Sequence, residues 1–163
     1  MMENGAMQGD LDRKMTNIQY SLAQKQDLDL LMQLSEEFYE LDGHQFEPDK
    51  AQQALLGLIE NELYGRIWVI LGDDTAIGYV ALMFGYSLEY HGRDAILDEI
   101  YLRAPFRGQG IGTQTFAFVE SACRQLGINT LHLEVMDDNE AARSLYGRLG
   151  YRSRASQFMH KRL

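Results

Sequence analysis

The chain has 163 residues, 45% hydrophobic and 24% charged, with two prolines, one cysteine and four histidines. That length suits one domain burying roughly 70% of its unfolded surface; the composition excludes a disordered or collagenous chain, and the cysteine count excludes an internal disulfide or a Cys/His zinc cluster. The formal net charge of −9 argues against a nucleic-acid partner, which needs a basic surface, and no apolar run reaches the roughly 18 residues of a membrane span.

Residues 1–14 read as a flexible tail, with Gly5, Gly9 and no periodicity; Glu3, Asp10 and Asp12 and the lack of an apolar core speak against a secretory signal. A cytoplasmic location is expected. Ile18, Tyr20 and Leu22 alternate as a short strand. Asp27 opens a helix with Leu30, Leu31, Leu34, Phe38 and Leu41 on one face, closed by Gly43. Pro48 suits the first turn of a second helix, with Ala51, Leu55, Leu58 and Ile59 inward and residues 61–65 as its exit. From Arg66 the period changes to two. Residues 67–71 and 76–84 form a hairpin about Gly72-Asp73-Asp74, and residues 95–102 follow as another strand after a loop over 87–93. Pro105 breaks that strand. Residues 113–126 are helical, with Phe116, Val119, Ala122, Cys123 and Leu126 on one face and Gly127 as the stop. Cys123 thereby reads as core. Leu131, Leu133 and Val135 alternate in a further strand, Asn139 caps a helix running to Leu149, and residues 151–163 suit one or two edge strands. The strand–helix–strand crossover makes one pair parallel. The fold class expected is α+β, a mixed, mostly antiparallel sheet with helices on its faces.

The charge is uneven. Residues 1–65 hold thirteen Asp/Glu against four Lys/Arg, whereas residues 66–163 hold eleven of each, ten of those bases being Arg. Either the acidic helices keep the protein in solution, or the acidic half borders a pocket for a cationic substrate. Arginine suits phosphate and carboxylate partners.

The most informative stretch is Arg107-Gly108-Gln109-Gly110-Ile111-Gly112-Thr113, between a strand and a helix. Alternate glycines let a ligand approach successive backbone N–H groups, and the helix N-terminus favours an anion there. A phosphate or diphosphate is the natural occupant, with Arg107 as a charged partner. A P-loop requires a Gly-Lys-Ser/Thr that is missing. A dinucleotide fingerprint requires glycine where Thr113 stands, directly after the strand.

Residues 100–112 resemble the acetyl-CoA-binding segment of the GCN5-related N-acetyltransferase (GNAT) superfamily, with Arg107, Gly110 and Gly112 on its Gln/Arg-x-x-Gly-x-Gly/Ala pattern. Asn139-Glu140-Ala141-Ala142-Arg143-Ser144-Leu145-Tyr146, followed by Leu149-Gly150-Tyr151, is similar to the family's Asn-x-x-Ala-x-x-Leu-Tyr…Gly-Phe/Tyr segment, and Phe158-Met159-His160-Lys161 to its ending. The resemblance spans residues 16–163 and implies one GNAT-like domain over 15–163 with a splayed parallel strand pair. It implies direct acetyl transfer from acetyl-CoA to an amine in a ternary complex, with no metal. Backbone groups of Ile100, Tyr101 and Leu102 would meet the pantetheine. The segment Arg107, Gly108, Gln109, Gly110, Ile111, Gly112 and Thr113 would meet the diphosphate, and Asn139 the pantetheine arm or the strand end. A Leu102 N–H freed by a bulge would polarise the thioester. Of the adjacent carboxylates Asp98 and Glu99, which face opposite sides of a strand, Glu99 is expected to be the base, directly or through water. Tyr146 would protonate the departing thiolate.

The family's first two helices commonly wall the acceptor. Glu36 and Glu40, one turn apart, with Phe38 and Tyr39 would then favour a cationic small-molecule amine, and Glu89 is a further acceptor candidate. A protein or peptide amine, a non-catalytic acyl-CoA sensor and a nucleotide-phosphate binder are the competing functions. No membrane partner is expected, and edge strands leave a homodimer open.

Overall fold

The computed structural model describes residues 17–136, 139–155 and 159–161; the expected tail over 1–14 lies outside them. The chain divides into two compact units, one ending at Leu133 and one beginning at Glu134.

The larger unit is a five-stranded sheet, β1 (Ile18–Leu22), β2 (Gly65–Gly72), β3 (Thr75–Ser87), β4 (Gly92–Leu102) and β5 (Thr130–Leu133), in that spatial order. Every neighbouring pair is antiparallel except β4 with β5, because the crossover between those two runs through a helix. Helices α1 (Leu28–Asp42) and α2 (Pro48–Glu60) precede the hairpin, and α3 (Ile111–Gln125) forms the crossover. Gly43 closes α1 in the left-handed conformation at φ 71°, where a side chain would be strained. Helix α3 starts two residues earlier than expected, because Gly110 at φ 82° turns the chain and Ile111 plugs into the core. The strand expected over 131–135 is instead Thr130–Leu133.

The two sheet faces carry separate cores. Ile67 and Val69 of β2 and Tyr79 and Ala81 of β3 pack with Leu31 and Leu34 of α1 and Leu55 of α2. Ile70, Ile77 and Ile111 cluster on the other face with Tyr20, Leu102 and Phe106. Alternation along β2 sends Val69 and Ile70 to opposite sides, so helices cover both faces.

One irregularity decides what faces α1. On β4, Glu99 lies opposite Ala81 while Leu97 lies opposite Leu82, so Asp98 is an extra residue that the register with β3 skips. Directly opposed residues share a face, and Ala81 and Leu82 face opposite ways. The bulge therefore puts Leu97 on the α3 side and Glu99 on the α1 side; a regular strand would keep both together.

In the smaller unit, α4 (Glu140–Arg148) is capped by Asn139, whose Oδ1 accepts from the Ala142 N–H at 3.1 Å. The edge strands expected over 151–163 are not found in residues 151–155 and 159–161. The run Arg152-Ser153-Arg154 offers no alternating apolar face; residues 156–158 and 162–163 lie outside the described residues.

Strand β3 passes β4 so closely at Gly78 that a Cβ there would collide with the Tyr101 carbonyl oxygen. Gly78→Ala is expected to cost about 2–3 kcal/mol of stability, read as a lowered denaturation midpoint; an unchanged midpoint would show that the strands separate there without cost.

Candidate active site

Glu99 is the centre of a polar cluster set into an apolar face. The Tyr79 hydroxyl, on a side chain with no solvent exposure, donates to Glu99 Oε2 at 2.7 Å. Tyr39 of α1 is a second phenol turned to the same carboxylate, and the buried Ser35 supports the Tyr79 hydroxyl from below. Burial pushes the Glu99 carboxyl above its ordinary range; the Tyr79 bond opposes the shift, and the neighbouring Asp98 charge adds to it. A carboxyl raised in this way takes a proton more readily than an ordinary glutamate and stays oriented while it does so.

A second polar cluster ties α1 to the end of β4. Arg103 grips Glu37 at both oxygens, Nε to Oε2 at 2.9 Å and Nη2 to Oε1 at 2.8 Å, and its Nη1 donates to the Ala76 carbonyl at 3.1 Å. The Tyr101 hydroxyl donates to the same Glu37 carboxylate at 3.2 Å. Bonds from Arg103 hold the Glu37 carboxyl below its ordinary value. Glu99 and Tyr39 are expected from the sequence, whereas Tyr79, Ser35, Glu37 and Arg103 are not. Tyr79 sits in an apolar strand and reads as core, and Glu37 sits in an acidic helix and reads as solvated. A tyrosine directly cross-strand from Tyr101 is the signal that points to them, and it requires the register.

Beyond Glu99 the sheet opens. Pairing of β4 with β5 ends at Leu97 opposite Leu133, although β4 runs on to Leu102. The Arg103 N–H donates to Ile77 of β3 at 2.9 Å, so by alternation the N–H groups of Leu102 and Ile100 point to the edge that β5 leaves open. Strand β4 does carry a bulge, at Asp98, and the Leu102 N–H is left open by the shortness of β5. Arg107 lies at this edge, its Nε on the Leu102 carbonyl at 2.7 Å and its guanidinium 5.6 Å from the Tyr101 ring centroid.

The glycine loop then enters α3. The first N–H tied into the helix ladder from this end is that of Gln114, on the Gly110 carbonyl at 3.1 Å, and no side chain caps the helix. The amides of Ile111, Gly112 and Thr113 thus form the first turn, with the dipole behind them. Gly108 at φ 74° and Gly110 at φ 82° need glycine for their backbone, and space is open where a Cβ would stand at residues 108, 110 and 112. These features fit a diphosphate. The Ile111 side chain is buried in the core, and Gln109 donates to the Pro105 carbonyl at 3.0 Å.

Of the α1 residues, the structure brings Tyr39 to Glu99 and sets the Phe38 ring 6.0 Å from that of Tyr101, whereas Glu36 and Glu40 are exposed. Glu89 is exposed in the turn between β3 and β4. Cys123 is buried, its thiol pushed up to about 11 by burial, as befits core. Tyr146 lies in the smaller unit, half-buried, its hydroxyl raised by burial and its ring 6.1 Å from that of Tyr151. Among the described residues no helix is long and apolar enough to cross a membrane.

The five-stranded mixed sheet, with its parallel β4–β5 pair and the glycine-initiated helix between those strands, is a GNAT-like α+β fold. Residues 28–151 match the Acetyltransferase (GNAT) family, and the chain belongs to it. Thialysine N-epsilon-acetyltransferase of Bos taurus is 38% identical over 74 residues, 45% of this chain and 43% of that protein. The uncharacterized N-acetyltransferase YycN of Bacillus subtilis is 34% identical over 87 residues, 53% of this chain and 54% of that one. The chain thus spans about half the length of these curated relatives. Among solved structures, the integron cassette protein HFX_CASS3 from the Cole Harbour Salt Marsh metagenome superposes with TM-score 0.79 at 29% identity, covering 89% of this chain and 90% of that one. The aminoglycoside N-acetyltransferase AAC(6')-Iy, solved in complex with CoA, shares the fold at TM-score 0.75 and 14% identity, covering 90% and 95%.

The Arg103–Glu37 pair stabilises the ionised carboxyl, so its contribution is present above the unfolded carboxyl's pKa and fades as pH falls through the lowered folded value. Arg103→Met is expected to lose about 1–3 kcal/mol at pH 7, and denaturant unfolding should show the difference shrinking on acidification. A loss that stays constant with pH would mean that packing, not charge, is what Arg103 supplies.

Proposed function

We propose that residues 15–163 act as one acetyltransferase domain that moves the acetyl group of acetyl-CoA directly to a primary amine of a cationic small molecule. The observation that carries this reading is the Glu99 carboxylate, half-buried, raised in pKa and held by Tyr79, on the strand whose open edge leads to the amide-lined start of α3. Family membership supports the reaction class, and the similarity to thialysine N-epsilon-acetyltransferase across 45% of the chain supports an amine acceptor.

In this reading the amides at residues 108–113 hold the diphosphate, with Arg107 at the entrance, and the backbone edge of Ile100, Tyr101 and Leu102 holds the pantetheine as an added strand would be held. Acetyl-CoA supplies the activated thioester. Glu99 draws a proton from the incoming ammonium, giving the neutral nitrogen that can attack. The Leu102 N–H donates to the thioester oxygen as negative charge develops on it. The new C–N bond forms, the C–S bond breaks, and the departing sulfur takes a proton, for which the family resemblance implies Tyr146 as donor and Asn139 as a contact of the pantetheine arm. On the acceptor side, Tyr39 and Phe38 present aromatic surface, and Glu36, Glu40 and Glu89 supply the negative field that draws a cation. A base of this kind also favours the catalytic reading over a non-catalytic acyl-CoA sensor, which has no use for one.

The experiment is thiol release from acetyl-CoA against polyamines, aminoglycosides, amino acids and peptides, with wild type and Glu99→Gln. Turnover of a cationic small amine is expected. Glu99→Gln should lower kcat by about 10²-fold or more with acetyl-CoA affinity kept. Because Glu99 must be ionised to work, the wild-type rate should rise with pH through a midpoint above the ordinary carboxylate range. Equal turnover by Glu99→Gln would remove Glu99 from the chemistry, and turnover of peptides alone would replace the acceptor class.

A further inference from the structure

The sheet face that carries Glu99 continues toward the start of β4. On β3, Met83 and Gly85 follow Ala81 at two-residue steps and stand opposite Ile96 and Asp94 of β4, so all of them share that face. Met83 and Ile96 are half-buried, in contrast to the buried Tyr79 and Ala81; the strip is an incompletely covered apolar floor.

Polar and aromatic groups close its far end. The His132 Nε2 of β5 lies 3.4 Å from Asp94 Oδ2, and the Tyr90 ring, from the turn that also carries Glu89, stands over His132 with centroids 4.8 Å apart. Asp94 occupies space that exists only because residue 85 is glycine: a Cβ there would collide with its Oδ1. Ala81 opposite Glu99 and Gly85 opposite Asp94 are four residues apart, which sets the two carboxylate positions about 13 Å apart along the sheet.

We propose that this strip is the distal half of the acceptor site and takes a linear polycation. The amine to be acetylated lies at Glu99, the alkyl chain runs over Met83 and Ile96, and a second ammonium reaches Asp94 beside the Tyr90 ring. The inference rests on the acetyltransfer reading and adds a length requirement to it. The aromatic ring and the carboxylate both favour a cation, and the half-buried methionine and isoleucine favour methylenes between the charges. A span of about 13 Å needs about ten bonds of extended chain, so a lysine-sized diamine cannot reach both ends whereas a tetramine can.

The test compares spermine with 1,4-diaminobutane in thiol-release kinetics of the full chain, using wild type, Asp94→Asn and His132→Lys. Wild type should show the higher kcat/KM with spermine. Asp94→Asn should raise KM for spermine about tenfold or more, with kcat within about twofold and both parameters for 1,4-diaminobutane unchanged. His132→Lys, which places a fixed positive charge against Asp94, should do the same, and it decides the matter where Asp94→Asn loses turnover of both amines through misfolding. Equal effects of His132→Lys on the two acceptors, or none, overturn the distal site and leave acetyl transfer standing. Failure of wild type to acetylate any amine overturns the acetyltransfer reading and the distal site with it.

Discussion

One surplus residue in β4 organises this molecule. The register with β3 skips Asp98, and the consequence is a change of face. Upstream of it the odd-numbered side chains of the strand point toward α3; downstream they point toward α1. Glu99 is the first residue after the change, so it is delivered into the apolar layer beneath α1, where Tyr79 is already buried. Tyr79 donates to the carboxylate, which keeps a desolvated ionisable group from being left unpaired, and burial still dominates and holds its pKa high. A strand without the bulge would turn Glu99 to the α3 face, away from Tyr79.

The same strand supplies the rest of the site by a different economy, that of missing partners. Strand β5 ends opposite Leu97, leaving the edge of β4 unpaired from the bulge to Leu102 among the described residues. Unpaired strand edges are usually a hazard that proteins cover; here the edge runs straight to the glycine turn and the uncapped start of α3. The Arg103–Glu37 pair fixes α1 against the end of this strand. It thereby fixes Tyr39, two residues on from Glu37, near the same carboxylate that Tyr79 holds from the sheet.

Much of the fold was legible before any coordinates because its elements announce themselves by period. Leu30, Leu31, Leu34 and Phe38 repeat at helical spacing, the run from Ile67 to Leu71 follows a change to strand pattern, and Gly43, Pro48 and Gly127 punctuate the ends. The glycine loop was legible because alternate glycines before a helix have a specific electrostatic use. The bulge was not. Leu97-Asp98-Glu99-Ile100 reads equally well as a regular strand, and only the pairing with Ala81 and Leu82 shows the extra residue. Tyr79 was passed over because a hydroxyl among apolar strand residues is invisible until its cross-strand neighbours are known. Residues 152–154 carry no pattern that could have specified the strand expected there.

The most direct test of the account is the protonation of Glu99 itself, followed by carboxyl-carbon NMR in protein labelled at glutamate side chains, with Glu99→Gln identifying the resonance. The account predicts a titration midpoint above that of ordinary glutamates, moving still higher in Tyr79→Phe, where the opposing hydrogen bond is gone. A midpoint at or below the ordinary glutamate value would contradict it, because a solvated carboxylate at residue 99 would mean that the bulge does not bury it.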